Sequence, residues 1–270
     1  MNKWLNKYIA YLGLEKEEPT KDFLIKLYQH HLARVPYELT SKFIYSLGGI
    51  YIPTIEVFVE NLIHRGFGGN CYILNINFLR LLHTLGFQGY LVNVEPGHLG
   101  IIISIEERDY FVDVGYGAPL NQLVELKQEN WNGKIFGEEI FFTYKDDNQI
   151  EYERVYKGKM IVSKKIHLSP MKEIDFQTNI EASFHDSDAN PFMRRVSMAK
   201  VTGTKYIWVR NNRITVRHSK EDRTTKFNNI EDWMDRIHKE FQLGKDDLKW
   251  TVDFLQQRGV SLGFKNRVRK

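Results

Sequence analysis

An α+β fold is predicted for this chain by three changes of pattern along its 270 residues. Residues 1–88 repeat their apolar positions at helical spacing, residues 89 to about 169 break into short β-rich runs divided by polar turns, and the remainder mixes both. Helices and strands that segregate along a chain, instead of alternating, point to α+β architecture. The expected units are 1–88, helical and containing Cys71, then 89–190, of β type and containing His98 and Asp113, then 191–270, of α/β type.

Lys3 to Leu12 is amphipathic, and Pro19-Thr20 supplies a start signal for a helix running to about His31. Thr54 to Leu62 reads as a further helix. The densest apolar run, Tyr72 to Leu85, is expected to be a buried helix ending at Gly86, with Cys71 in its first turn. Strands are expected at Gly89–Glu95, Leu99–Ile105 and Tyr110–Val114, the last two joined by the polar turn Glu106-Glu107-Arg108-Asp109. Further β runs, Glu139–Tyr144, Glu151–Tyr156 and Met160–Lys165, are separated by Lys145-Asp146-Asp147-Asn148 and Lys157-Gly158. In the tail, Val196–Thr202, Lys205–Arg210 and Arg213–Arg217 read as strands, with Asn211-Asn212 as a hairpin turn, and Ile230–Phe241 reads as an amphipathic helix.

Cys71 is the only cysteine. Free cysteine is usually a small buried hydrophobe, but a plain core position has no use for the Gly68-Gly69 approach or for polar Asn70 just before it. At a helix N-terminus, unpaired N–H groups carry roughly half a positive charge, which favours thiolate over a thiol of pKa about 8.5. Such a nucleophile needs a base and a group that orients the base. His98 opens one strand and Asp113 nearly closes the next. A turn centred on Glu106-Glu107 pairs Ile105 with Arg108 and sets Asp113 opposite Gly100, on the face of His98 and roughly 7 Å from it on the diagonal. A turn one residue later sets Asp113 opposite Ile102, roughly 13 Å from His98. Both registers fit the sequence. Asp113, flanked by Phe111, Val112 and Val114, is expected to be buried and therefore paired. His30, His31, His83, His167, His185, His218 and His238 lack a matching partner and read as ordinary surface or core histidines.

Composition suits an enzyme. With 42% hydrophobic residues the chain is long enough for two or three cores, and 13% aromatic residues can line a pocket for flat substrates. The net charge of +4 suits an anionic cosubstrate without demanding a nucleic acid. One cysteine excludes an intrachain disulfide, and Met1 to Lys7 lacks the apolar core of a signal peptide. No run approaches the roughly 18 to 20 apolar residues of a membrane span, so a cytoplasmic protein without a membrane partner is expected.

The residues carry a resemblance. Gly68-Gly69-Asn70-Cys71-Tyr72-Ile73-Leu74-Asn75, Gly97-His98-Leu99, and Phe111-Val112-Asp113-Val114-Gly115-Tyr116-Gly117 resemble, in order and spacing, the three signature segments of the arylamine N-acetyltransferases. Upstream, His31 to Leu39 is similar to that family's His-x-x-x-Val-Pro-Phe-Glu-Asn segment. Downstream, Asp175-Phe176, Asn179 and Asn190-Pro191-Phe192 are similar to the weaker pattern leading into its third domain. The likeness extends from about Lys21 to Arg195.

The resemblance implies a helical domain, a small β-barrel and an α/β lid, with a cysteine-protease-like triad of Cys71, His98 and Asp113 where the first two domains meet. It implies ping-pong transfer of acetyl from acetyl-CoA, as cosubstrate and without a metal, through acetyl-Cys71 to an aromatic amine, arylhydrazine or N-hydroxyarylamine. Backbone N–H groups near Cys71 would stabilise the oxyanion. Gly115, Tyr116 and Gly117 are the expected contacts to the donor, because a glycine loop approaches a ligand closely. Two other classes use parts of the same site: a thiol hydrolase or transglutaminase-like enzyme, and a weakly active CoA-binding homologue.

Three positions depart from the family pattern. Phe67 stands where the family usually has Arg, Ile73 where it has Glu or Gln, and Leu39 where it has Asn. A polar cluster beside the nucleophile has thus become apolar, and Glu38 has lost its customary neighbours. Glu38 is expected either to pair with Arg65 or to turn to solvent, since an isolated buried carboxylate is costly.

Overall fold

The computed structural model describes residues 2–116, 120–127, 129–218 and 221–265. The chain opens with α1 (Lys3–Leu12), α2 (Lys21–Arg34), the short strand β1 (Tyr37–Glu38), α3 (Thr40–Leu47), α4 (Ile55–Arg65) and α5 (Cys71–Thr84). Eight strands follow: β2 (Gln88–Glu95), β3 (His98–Ile105), β4 (Arg108–Val112), β5 (Val124–Leu126), β6 (Trp131–Ile135), β7 (Glu138–Asp146), β8 (Gln149–Tyr156) and β9 (Lys159–Met171). After α6 (Gln177–Phe184) come β10 (Ser197–Thr202), β11 (Lys205–Arg210), β12 (Arg213–Arg217), β13 (Asp222–Lys226), α7 (Ile230–Phe241) and α8 (Lys245–Gln257).

The helices start where side chains can serve their unpaired N–H groups. Thr20 accepts from Phe23 N at 3.3 Å ahead of α2, and Asn70 accepts from Ile73 N at 3.0 Å ahead of α5. α1 buries Leu5, Tyr8, Ile9 and Leu12, one face at helical spacing. α5 is buried along nearly its whole length and packs on β2 and β3.

β2 to β9 form one antiparallel sheet in the order β5-β4-β3-β2-β9-β8-β7-β6. Alternate residues divide its strands between two cores, as the pleat requires. Leu99, Ile101, Ile103 and Ile105 of β3 join a large core shared with the helices, whereas Ile102 faces the other way. That second core takes side chains from all eight strands, among them Phe111 of β4 and Phe142 of β7, whose ring centroids are 5.6 Å apart. The sheet is therefore curled around its own interior like a barrel, with edge strands β5 and β6 joined by residues 127–130. The α+β expectation and its barrel are both met.

The second sheet has the order β1-β10-β11-β12-β13. Its first strand, Tyr37–Glu38, comes from the helical region, and its core is continuous with that of α1 to α5, α7 and α8. The strands at β10, β11 and β12 and the helix at α7 follow the sequence expectation. β1, α3, α6, β5, β6, β13 and α8 are additions that the sequence pattern did not announce. β1 is two residues long and gains its partner 160 positions away only by folding, Tyr37 facing Ala199 and Glu38 facing Met198.

His31 of α2 is fully buried, and neither ring nitrogen has a hydrogen-bond partner. Its ring meets Phe78 edge-on at 4.7 Å. Burial alone pulls its pKa down to about 3. In the unfolded chain the value returns to about 6.5, so between about 3 and 6.5 the unfolded state binds more protons and stability falls as pH falls. Each pH unit below 6.5 costs about 1.4 kcal/mol from this group. Urea unfolding at pH 7 and pH 5 should therefore show a loss of about 2 kcal/mol that His31→Leu removes. Equal pH dependence in the two proteins would show that His31 is not the group responsible.

Candidate active site

Cys71 is the first residue of α5, partly exposed, with Asn70 as the cap. The loop before it is held from the far side by β1. Glu38 N donates to Gly69 O at 3.0 Å, and a Cβ on Gly68 would lie 1.8 Å from the Pro36 carbonyl oxygen. Only glycine lets the two backbones meet here, which is why the Gly68-Gly69 approach accompanies this cysteine.

His98 and Asp113 are brought together by the hairpin. Ile105 faces Arg108 and Ile101 faces Val112, the register that sets Asp113 opposite Gly100. Glu106 and Glu107 both adopt positive φ, at 50° and 60°, forming the two-residue turn whose twist suits a hairpin. The result is a buried contact of 2.6 Å between His98 Nε2 and Asp113 Oδ2.

Asn75 organises this pair. One turn along α5 from Cys71, its Nδ2 donates to Asp113 Oδ1 at 3.0 Å and to Leu99 O at 2.9 Å, while its Oδ1 accepts from Val114 N at 3.0 Å. Gly115 N also donates to Asp113 Oδ1, at 2.9 Å. A single amide on the cysteine helix thus fastens the His98 strand and the Asp113 segment. Sequence reasoning gave Asn75 no role. The available signal was an amide inside an otherwise apolar helix, where burial demands partners.

Burial opposes charge on His98, but the Asp113 carboxylate and its hydrogen bond, followed by interaction with Cys71, outweigh it and raise the imidazole to about 9. Asp113 occupies Nε2, which leaves Nδ1 for exchange with Cys71.

Cys71 and His98 line one cavity of about 360 Å³. Gly115 and Tyr116 line it too. A Cβ on Gly115 would lie 2.6 Å from Cys71 Cα, so the segment after Asp113 rests directly against the nucleophile's backbone. Tyr116 meets His98 edge-on at 5.0 Å. Gly117 lies outside the described residues.

The altered cluster differs from both expectations for Glu38. Glu38 is fully buried yet does not pair with Arg65, which binds Asp247 of α8 and lies over the Phe67 ring at 4.1 Å. Its carboxylate instead accepts from Ser41 N at 2.9 Å and from the Ser41 hydroxyl, at the start of α3. A helix N-terminus replaces the expected cation. Burial raises the Glu38 carboxyl to about 7, against the pull of hydrogen bonds from Ser41, Thr40 and Gly68. Phe67, Ile73 and Leu39 are buried.

Lys42, four residues on, also lines the cavity and was not anticipated. Burial lowers its ammonium to about 8, with Arg195 adding to the fall and Cys71 opposing it. Among the described residues no group of three or more His, Cys, Asp or Glu is placed to hold a metal ion, and no helix is long and apolar enough to cross a membrane.

Residues 21–249 match the model of a protein family described as N-acetyltransferase. The chain belongs to the arylamine N-acetyltransferase family of acyltransferases. Its fold is that of solved family structures. An N-arylamine acetyltransferase of Mycobacterium smegmatis superposes with TM-score 0.80 at 19% identity, covering 98% of this chain and 100% of that one. That of Mycobacterium marinum, solved in complex with CoA, gives 0.79 at 14% identity over 93% and 99%. A Bacillus cereus member, described as having a unique Cys-His-Glu catalytic triad, gives 0.74 at 16% identity over 90% and 99%. Among curated proteins, Proansamycin X synthase of Amycolatopsis mediterranei is 32% identical over 110 residues, which are 36% of this chain and 41% of that relative's length. The family match continues to residue 249, past the Arg195 limit of the sequence resemblance.

Proposed function

We propose that this protein transfers the acetyl group of acetyl-CoA to the nitrogen of an arylamine, arylhydrazine or N-hydroxyarylamine, by a ping-pong route through acetyl-Cys71. The observation that carries this reading is the buried Asp113 to His98 contact beside Cys71 in one cavity. The Asp113 carboxylate raises the His98 imidazole and so favours imidazolium, the partner that a thiolate nucleophile needs. The Cys71 sulfur attacks the thioester carbonyl, and the tetrahedral intermediate expels the CoA thiolate, which takes the His98 proton. The acceptor amine then attacks acetyl-Cys71. His98 removes the proton from its nitrogen, and Cys71 leaves as thiolate. Asp113 and Asn75 keep the ring in the orientation that both half-reactions need.

Gly115, Tyr116 and Gly117 are proposed to contact the donor. The CoA complex of the Mycobacterium marinum relative supports CoA as the ligand class. A free thiol nucleophile suits a reducing compartment such as the cytoplasm.

Intact-protein mass spectrometry after mixing with acetyl-CoA tests the proposal. One added acetyl group is expected, and neither Cys71→Ala nor Cys71→Ser should gain it at an appreciable rate, serine being far less acidic than a thiol. Acetylation of the Cys71→Ala protein at the wild-type rate would remove Cys71 from the mechanism. Binding of acetyl-CoA without acylation would favour a CoA-binding homologue, a reading motivated by Phe67 and Ile73. Consumption of acetyl-CoA that an added arylamine does not accelerate would favour a thiol hydrolase.

A further inference from the structure

Tyr37 stands at the Phe of the Val-Pro-Phe-Glu-Asn pattern, so the ring conforms and a hydroxyl is added. Its backbone is tied to the loop that presents the nucleophile. Tyr37 forms a parallel β-bridge with Gly69, two residues before Cys71, and the next residue, Glu38, donates its N–H to Gly69 O at 3.0 Å. On its other side Tyr37 pairs with Ala199 of β10. Neighbouring side chains on a strand point opposite ways. Glu38 is therefore buried, while Tyr37 is half-buried and lines the cavity together with Cys71 and His98.

The Tyr37 hydroxyl is uncommitted. No hydrogen bond joins it to any described residue, Cys71 included, and its oxygen is not sealed in the core. Burial raises the phenol above its ordinary value, and the negative charge of Cys71 adds to the rise while Arg195 opposes it. The group stays O–H at neutral pH, a donor and not a base. Arg195, which lies over the Phe192 ring of the cavity wall at 4.3 Å, polarises that O–H. Tyr72 also lines the cavity, but it is buried. Donors are needed here, because attack on a thioester places negative charge on the carbonyl oxygen beside the first turn of α5. Within that turn the N–H groups of Ile73 and Leu74 are already bonded to Asn70.

We propose that the Tyr37 hydroxyl is a catalytic donor, giving a hydrogen bond to the acyl carbonyl oxygen as that oxygen becomes an oxyanion. This rests on the reading that Cys71 is the acetylated nucleophile. As the bond from Cys71 Sγ to the carbonyl carbon forms, the π pair moves onto oxygen, and Tyr37 stabilises it there without giving up its proton. The C=O bond then re-forms, and the CoA thiolate leaves with the His98 proton. The same contact serves the second half-reaction, in which the amine adds to acetyl-Cys71 and the Cys71 thiolate departs. A donor aimed at charge that exists only in the transition state speeds the chemical step without tightening ground-state binding.

Tyr37→Phe keeps the ring and removes the donor. The rate of Cys71 acylation at saturating donor, followed by mass spectrometry, should fall about a hundredfold, the usual effect of deleting one oxyanion donor. Alkylation of Cys71 by iodoacetamide is measured on the same two proteins. That reaction displaces iodide from a saturated carbon and creates no oxyanion, so it reads only the thiolate and its accessibility, and its rate should be unchanged. A merely structural role would slow both reactions. An acylation rate within about threefold of wild type would overturn the proposal, as would alkylation falling in the same proportion as acylation. Each acylation is run with acetyl-CoA and with 4-nitrophenyl acetate, an activated ester that has no CoA moiety. A wild-type protein acetylated only by the ester would refute acetyl-CoA as donor, and the ratio of the two proteins with the ester would still decide for or against Tyr37.

Discussion

Asp113→Asn is expected to lower acetyl transfer about ten-thousandfold in a protein that remains folded. The substitution is isosteric, and the hydrogen bonds around position 113 dictate how the new amide must sit. Asp113 Oδ1 accepts from Asn75 Nδ2 and from Gly115 N, so that site must remain an oxygen. The amide nitrogen then falls at Oδ2, 2.6 Å from His98 Nε2. A donor at that place requires Nε2 to be an acceptor, which moves the ring proton to Nδ1 and removes the base facing Cys71. The loss of negative charge also removes the main force holding His98 near 9. Steady-state kcat/KM, with circular dichroism to confirm folding, measures the effect. Activity close to wild type in a folded Asp113→Asn protein would take Asp113 out of the mechanism.

Glu138→Ala should destabilise the protein by about 3 to 5 kcal/mol, the usual cost of stranding a buried charge. Glu138 of β7 is buried between Arg154 of β8 and Arg217 of β12, and so ties the barrel to the second sheet. Arg154 Nε donates to Glu138 Oε2 at 2.6 Å. Arg217 has a second partner in Asp222, at 2.6 Å, and lies 3.7 Å over the Tyr156 ring. Arg154 has no second carboxylate among the described ion pairs, and its guanidinium lies 5.5 Å from the centre of the Tyr116 ring. The damage therefore falls on Arg154, next to a residue that lines the cavity. Glu138→Leu combined with Arg154→Met should recover much of the loss, because exchanging a whole buried pair for apolar side chains is often neutral. Urea denaturation measures both, and a loss below about 1 kcal/mol for Glu138→Ala would mean that water screens this cluster.

Where local chemistry and local geometry coincide, the chain could be read directly. The α7 expectation of Ile230–Phe241 matches the observed helix, because one apolar face and the Asn229 cap are both properties of neighbouring residues. Cys71 in the first turn of α5 was legible for the same reason, the Asn70 cap and glycine approach lying beside it in sequence. The His98 and Asp113 strands were visible as apolar runs, but their register was not. It depends on Glu106 and Glu107 adopting positive φ, and neither residue type announces such a turn.

The same division runs through the candidate site. Residue types and spacing sufficed for an α+β chain with Cys71, His98 and Asp113 as its chemistry-bearing groups, because nucleophile, base and carboxylate are marked by their own local surroundings. Partnership across the fold was decided by tertiary structure alone. Asn75 acquires its role only when α5 packs on β3, and Arg65 finds Asp247 across 182 positions instead of Glu38. Glu38 and Lys42 are four residues apart, yet Glu38 is satisfied by the start of α3 while Lys42 Nζ is left without a hydrogen-bond partner in the cavity wall. The physical reason is that a buried polar group is defined by what surrounds it in space, and hydrophobic burial, which does most to assemble those surroundings, carries no direction of its own.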